Sequence, residues 1–419
     1  MTAAPGRVTF REVFGVAEFR AMWLGELLSI AGDQLARVAL SVLVYANTQS
    51  ATLTGLTYAL TFFPSLLGGI FLTGIADRFA RRTVMVTVDL MRTALILLVA
   101  IPGLPFWALC VLVGCVSLLN PPFKAAQLAL LPQVLEGDRF VVGMGIRSMT
   151  VQTAQLVGFA GGGALLLAVD PRLALIIDAG TFVLSALFVR FGVKARPAAA
   201  SGEQRKPFFA SLSAGGRAGF ATSALRSLML FTWLAGLMPV YEGIAAPYAA
   251  STGGGSEIIG LLLAADPVGS VIFTFIYTRW VPAETRPKLI GPLTALAAVP
   301  LLACFLQPGP VVSIILFIVS GGFGTIALLQ ATASLTVAVP DVSRAQTMGL
   351  SNTGLTTTMG VVPLIGGVLA DHLTAQTTVG IFGLAGLLIT IPLTIMWQRN
   401  FAGGTAEPTA KEATRAEHA

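Results

Sequence analysis

The sequence predicts an all-α integral membrane protein, with twelve transmembrane helices in two six-helix halves related by a pseudo-two-fold axis. Composition is the first reason: 55% of the 419 residues are hydrophobic and 11% charged, against roughly 25% charged in a soluble domain. Charge-free runs are the second. No residue charged at neutral pH lies between Arg37 and Asp77, between Arg92 and Lys124, or between Lys288 and Asp341. The last run, 289–340, is more than twice the roughly 20 residues that cross a bilayer as a helix. Third, these runs are continuous, whereas barrel strands alternate apolar and polar over about 10 residues.

The elements follow in order. Val8, Phe10, Val13 and Phe14, with Arg11 and Glu12 between them, read as a short interfacial amphipathic helix. Spans are expected at about 19–45, 53–75, 83–101, 105–128, 142–168, 172–192, 226–250, 257–279, 287–306, 310–337, 345–370 and 376–398. Turn residues mark the breaks, among them Asn47-Thr48-Gln49-Ser50, Pro102-Gly103, Asp170-Pro171 and Gln307-Pro308-Gly309-Pro310. The first apolar region is too long for a cleavable signal and is not followed by a small-residue cleavage site.

Lysine and arginine placement sets the expected orientation. With the N-terminus in the cytoplasm, the turns holding Arg78 to Arg82, Arg139, Arg190 to Lys206, Arg286, Lys288, Arg344 and Arg399 all face inside. Only Arg172 falls outside. Both termini are then cytoplasmic, and the protein is a multi-pass component of the cell membrane. The net charge of +6 is explained by these loops, so no nucleic-acid partner is expected. Residues 1–193 form the N-terminal half, 194–217 a flexible basic linker, 218–400 the C-terminal half and 401–419 a polar cytoplasmic tail.

The halves resemble each other. An offset of 204 places Met144-Gly145 on Met348-Gly349, and Gly162-Gly163-Ala164-Leu165 on Gly366-Gly367-Val368-Leu369. An offset of 201 places Gly68 on Gly269 and Arg78 on Arg279. Parallel repeats about an axis along the membrane normal characterise one large class of secondary transporters.

The most specific motif is Thr73-Gly74-Ile75-Ala76-Asp77-Arg78-Phe79-Ala80-Arg81-Arg82. Topology accounts for its arginines but not for Asp77. Here the sequence resembles the major facilitator superfamily, whose loop between helices 2 and 3 reads G-x-L-a-D-R-x-G-R-R. Asp77, Arg78, Arg81 and Arg82 match, while Thr73 and Ala80 replace its glycines and Gly74 stands one place late. Gly32-Asp33-Gln34, Asp89-Leu90-Met91-Arg92, Tyr241-Glu242 and Pro247-Tyr248 look like the macrolide-efflux and enterobactin-exporter branch of drug–proton antiporters. The G-P-x-x-G-G motif of antiporter span five appears as Gly158 to Gly163 without its proline, which the second half keeps as Pro363 ahead of Gly366 and Gly367. No arginine lies within span four, where the nearest base is Lys124. The resemblance implies the major facilitator fold, and a cytoplasmic gate formed by Asp77, Arg78, Arg81 and Arg82 with Asp89 and Arg92.

Ionisable residues inside spans cost roughly 2.5–3.5 kcal/mol each at mid-membrane, so each needs a reason. Glu26, Asp33 and Arg37 are spaced by seven and four and fall within about 20° of one helical line. Two readings stand: a structural i,i+4 pair of Asp33 with Arg37, or a stripe facing a central cavity. In the second half, Glu242 has no base near it in sequence, and with Tyr241 and Asp266 it is the candidate for proton coupling or substrate contact. Asp266 precedes Pro267 and equally suits a helix kink. Asp89, Arg92 and Arg147 read as a charge cluster near the cytoplasmic face, and Asp178 as a packing residue. Gly158, Gly162, Gly163, Gly366 and Gly367 allow close helix approach.

These features predict a secondary active transporter, a proton-coupled exporter of a bulky amphipathic small molecule working by alternating access. An importer or uniporter of a small metabolite is the alternative within transport, and a non-transporting receptor or scaffold is the alternative outside it. Enzymatic activity is not expected, because no His-Glu-x-x-His, Gly-x-Ser-x-Gly or phosphate-loop motif is present. No cofactor or metal is expected either: His372 and His418 are far apart, and Cys110, Cys115 and Cys304 lie in apolar runs. The expected partners are the bilayer, a small-molecule substrate and protons, with the chain a monomer.

Overall fold

A computed structural model describes residues 8–72, 78–196, 213, 216–282 and 284–402. Its spans are α1 (Ala17–Thr48), α2 (Ala51–Phe71), α3 (Arg81–Val99), α4 (Phe106–Val134), α5 (Asp138–Leu165) and α6 (Pro171–Gly192). The second set is α7 (Ser223–Gly243), α8 (Ser256–Trp280), α9 (Arg286–Leu306), α10 (Pro310–Ala338), α11 (Asp341–His372) and α12 (Ala375–Ala402). A short helix, Phe10–Phe14, precedes α1 and buries Val13. Ten of the twelve are long and apolar enough to cross a bilayer. The others are the charged α3, with Arg81, Arg82, Asp89 and Arg92, and the Gly-rich α5, with Asp138, Arg139 and Arg147. Charge lowers their hydropathy, and packing inside the bundle shelters it.

Two spans depart from their expected shape. Expected to stop near 128, α4 continues to Val134. Lys124 therefore sits ten residues from that end, about 15 Å inside at 1.5 Å per residue. The helix bends at Asn120-Pro121-Pro122, where proline supplies no N–H. α7 is interrupted between Ala235 and Val240, at Gly236 and Pro239, then continues as Ala245–Ser251. Glu242 lies in this broken stretch.

Packing repeats between the halves as the sequence repeats. A β-carbon on Gly163 of α5 would stand 2.7 Å from Cα of Gly260 on α8, and one on Gly367 of α11 would stand 2.5 Å from the Ala51 carbonyl oxygen on α2. The preceding glycines, Gly162 and Gly366, face Leu35 of α1 and Val240 of α7. Thus α5 meets α1 and α8 as α11 meets α7 and α2. Only glycine admits backbones this close. Gly68 and Gly269 repeat a second crossing, lying on the main chain of Leu118 and Ile318.

Both of these crossings between halves lie toward the same end of the bundle. There Asp371 accepts hydrogen bonds from Ser50 Oγ at 2.8 Å and from the N–H groups of Ala51 at 2.6 Å and Thr52 at 3.0 Å. The opposite end of the bundle is the arginine-rich one. Arg81 donates to the Ala129 carbonyl at 2.7 Å and Arg82 to the Val193 carbonyl at 3.1 Å, both within the first half.

Candidate functional site

A central cavity of about 1050 Å³, its open mouth included, is walled by α1 to α6. Into it project Glu26, Asp33 and Arg37 of α1, Arg92 of α3, Lys124 of α4, Arg147 of α5 and Asp178 of α6. The helical line read from sequence thus faces the cavity. Asp33 and Arg37, however, do not pair. Asp33 Oδ1 lies 2.7 Å from a guanidinium nitrogen of Arg92, 59 residues away. Arg37 rests on aromatic rings of α2, 5.6 Å from the Tyr58 centroid and 5.3 Å from that of Phe62.

Arg92 is the hub of this wall. It is 2% exposed, stacks 4.0 Å over the Phe182 ring, and has Asp89 and Asp178 beside it as well as Asp33. Asp89 and Asp178 are both fully buried. Gly32 is what lets Asp178 in, because a β-carbon there would collide with the Asp178 carboxylate and Thr181 hydroxyl. A second pair, Arg147 with Glu26 at 2.7 Å, lies nearer the arginine-rich end. Arg92 and Arg147, expected beside the cytoplasmic loop, therefore belong to the central wall. Lys124 also faces the cavity and enters no ion pair among the described residues.

The second half presents a smaller cavity of about 450 Å³ lined by Tyr241, Glu242, Asp266, Ser320, Gly321 and Thr325, among others. Its lining includes two carboxylates and no lysine or arginine. Glu242 accepts a hydrogen bond from the Tyr58 hydroxyl, which comes from α2 of the other half. Asp266 is beside Glu242 and the Ser270 hydroxyl, against the α8–α10 crossing at Gly321. Tyr241 stacks on Phe317 with centroids 3.9 Å apart.

Of the expected gate, Asp77 lies outside the described residues. Arg78 is exposed, and Arg81 and Arg82 bind carbonyls of their own half. Gly158 packs on Ala31 and Gln34 of α1, and Pro363 on Gly55 of α2 and Gly243 of α7. Tyr58, Lys124 and Asp371 were not among the sequence candidates. Lys124 carried a signal, a charge whose helix runs on past it. Tyr58 and Asp371 carried none, since their partners are 184 and about 320 residues away. No group of three or more metal-ligating side chains occurs among the described residues.

The sequence model of the family described as the Major Facilitator Superfamily matches residues 22–246 and 240–418. A curated relative from Bacillus subtilis (strain 168), YvqJ, described as an uncharacterized MFS-type transporter, is 22% identical over 275 residues. That match spans 62% of this chain and 64% of the relative. Among solved structures, a mutant of the nucleoside transporter NupG superposes with a TM-score of 0.76 at 13% identity, over 91% of this chain and all of that one. A bacterial homologue of the human lysosomal transporter Spinster, inward-facing and unoccupied, gives 0.74 at 16% identity, over 92% and 97% of the two chains. At such identities the likeness is one of fold.

Proposed function

The chain belongs to the Major Facilitator Superfamily, and from that premise we propose that this multi-pass membrane transporter is a proton-coupled exporter. Its substrate is an amphipathic small molecule, carried by alternating access between residues 1–193 and 218–400. The observation that carries the coupling is the Tyr58–Glu242 hydrogen bond. It joins the two halves at a carboxylate whose cavity holds a second acid, Asp266, while the cation acting on it, Arg37, lies across the interface in the first half. A carboxylate inside a membrane needs either a cation or a proton as partner. Rocking the halves apart at the joined end breaks the bond and bares Glu242 to the other side, so the proton load of Glu242 is tied to which end is open. The crowding of inter-half contacts around Asp371 supports reading this conformation as cytoplasm-open, with the arginine-rich end inside. The export direction rests on the likeness of Gly32-Asp33-Gln34 and Asp89-Leu90-Met91-Arg92 to the efflux branch.

The test uses inverted membrane vesicles acidified by respiration, with a pH-sensitive dye and a panel of antibiotics, dyes and siderophores. A transported compound should discharge the proton gradient in vesicles holding the wild-type protein. Glu242→Gln should still exchange that compound down its gradient but should neither discharge protons nor concentrate it. Uphill, pH-driven transport by Glu242→Gln would remove Glu242 from the mechanism and leave Asp266 as the next carboxylate to test.

A further inference from the structure

We infer that the transported molecule carries an anionic group, a carboxylate or a phosphate, and that Lys124 together with Arg37 receives it on the first-half wall of the central cavity. This rests on the transporter reading above and adds to it the chemical class of the substrate.

The cavity is lined by four basic residues, Arg37, Arg92, Lys124 and Arg147, and three acidic ones, Glu26, Asp33 and Asp178. Glu26 is held by Arg147 and Asp33 by Arg92, each at 2.7 Å. Asp178 is fully buried behind Asp33 and is also neighbour to Arg92. What remains outside a direct ion pair among the described residues is Lys124, with Asp33 and Glu26 only within electrostatic reach, and Arg37, with Glu242 across the interface. Lys124 projects into open space from about 15 Å inside α4. The Arg37 guanidinium carbon is 5.6 Å from the Tyr58 centroid and 5.3 Å from that of Phe62, and its five N–H donors can serve a ligand in the cavity that it lines. The membrane charges a steep cost for such cations, and a low-dielectric wall focuses their field into the cavity. A substrate anion bound there would lower that cost, and the acids Glu242 and Asp266 lie in the other half. Substrate and proton then act on opposite halves.

A single cysteine at Gln155, on the α5 wall of the same cavity, measures this field. The background carries Cys110→Ala and Cys115→Ala, while Cys304 is buried. In the full-length protein, an anionic sulfonatoethyl thiosulfonate reagent should label Gln155→Cys about ten-fold faster than its trimethylammonium counterpart. Lys124→Gln should bring the two rates together and Lys124→Arg should keep them apart. Benzoate or phenyl phosphate should slow the labelling while methyl benzoate does not, and whichever anion protects better distinguishes carboxylate from phosphate. Equal or faster labelling by the cationic reagent before Lys124 is changed would overturn the assignment. So would protection by the ester equal to that by the anions, or no protection by either anion. A failure of proton coupling would appear instead as transport indifferent to pH, and would leave these labelling ratios untouched.

Discussion

Asp371, near the end of α11, caps the start of α2: its carboxylate accepts the Ala51 N–H at 2.6 Å, with Thr52 and Ser50 completing the set. The first N–H groups of a helix lack internal partners and mark the positive end of its dipole, so an acid supplied by the other half is well placed. These bonds hold only while this end is joined. Asp371→Ala should therefore move the equilibrium toward opening there, by about 1.5 kcal/mol or roughly ten-fold after allowance for solvent exposure. Spin labels at Asn47 and Thr374 should report a longer distance distribution in the variant. An unchanged distribution would mean that the glycine crossings alone hold the end together.

Gly163 and Gly260 give the crossing of α5 and α8 its closeness. Gly163→Val should separate these helices, costing about 1–3 kcal/mol as an overpacked contact. The same spin-label pair should lengthen and transport should fall. Gly161→Val, where nothing lies within 4 Å of the added carbon, is the control that should leave both unchanged.

Arg92 neutralises a wall that contains Asp33, Asp89 and Asp178. Arg92→Met leaves three carboxylates without their shared cation and should destabilise the protein by about 3–5 kcal/mol. Asp33→Asn should cost less, because Arg92 keeps Asp178 and the Phe182 ring. Thermal unfolding in detergent should rank wild type above Asp33→Asn and Asp33→Asn above Arg92→Met. The reverse order of the two variants would show that Asp33, not Arg92, is the hub.

Orientation is testable with single cysteines. At Asn47 and Thr374, both exposed at the joined end, an impermeant thiol reagent applied outside intact cells should react. At Ser201, in the basic stretch between the halves, reaction should require opened membranes. Gln376 lies beyond the same turn but is only 5% exposed, so it is a poor probe. Outside labelling at Ser201 would reverse the proposed topology.

Bilayer physics made much of this protein legible in one dimension. A span is a local property, so hydropathy and turn residues locate the helices, ten of them long and apolar enough to cross a bilayer, and the 204-residue repeat pairs Gly162-Gly163 with Gly366-Gly367 at equivalent crossings. Helical periodicity likewise put Glu26, Asp33 and Arg37 on one line, and that line does face the cavity. Which charge neutralises which was not legible. Along the helix Asp33 has Arg37 one turn away, yet it bonds Arg92 on α3, while Arg37 turns to rings on α2. The depth of Lys124 depends on where α4 ends, at Val134 and not near 128. The Tyr58–Glu242 and Asp371–Ala51 bonds join residues in different halves. Sequence by itself determined the spans, the repeat and the cavity-facing line of α1, because each follows from the hydropathy and period of a single helix. The partners of the buried charges, and the end at which the halves meet, were decided only by the tertiary structure. Coulombic and hydrogen-bonded contacts depend on distances between helices, and those are set by how glycine-sized surfaces fit together.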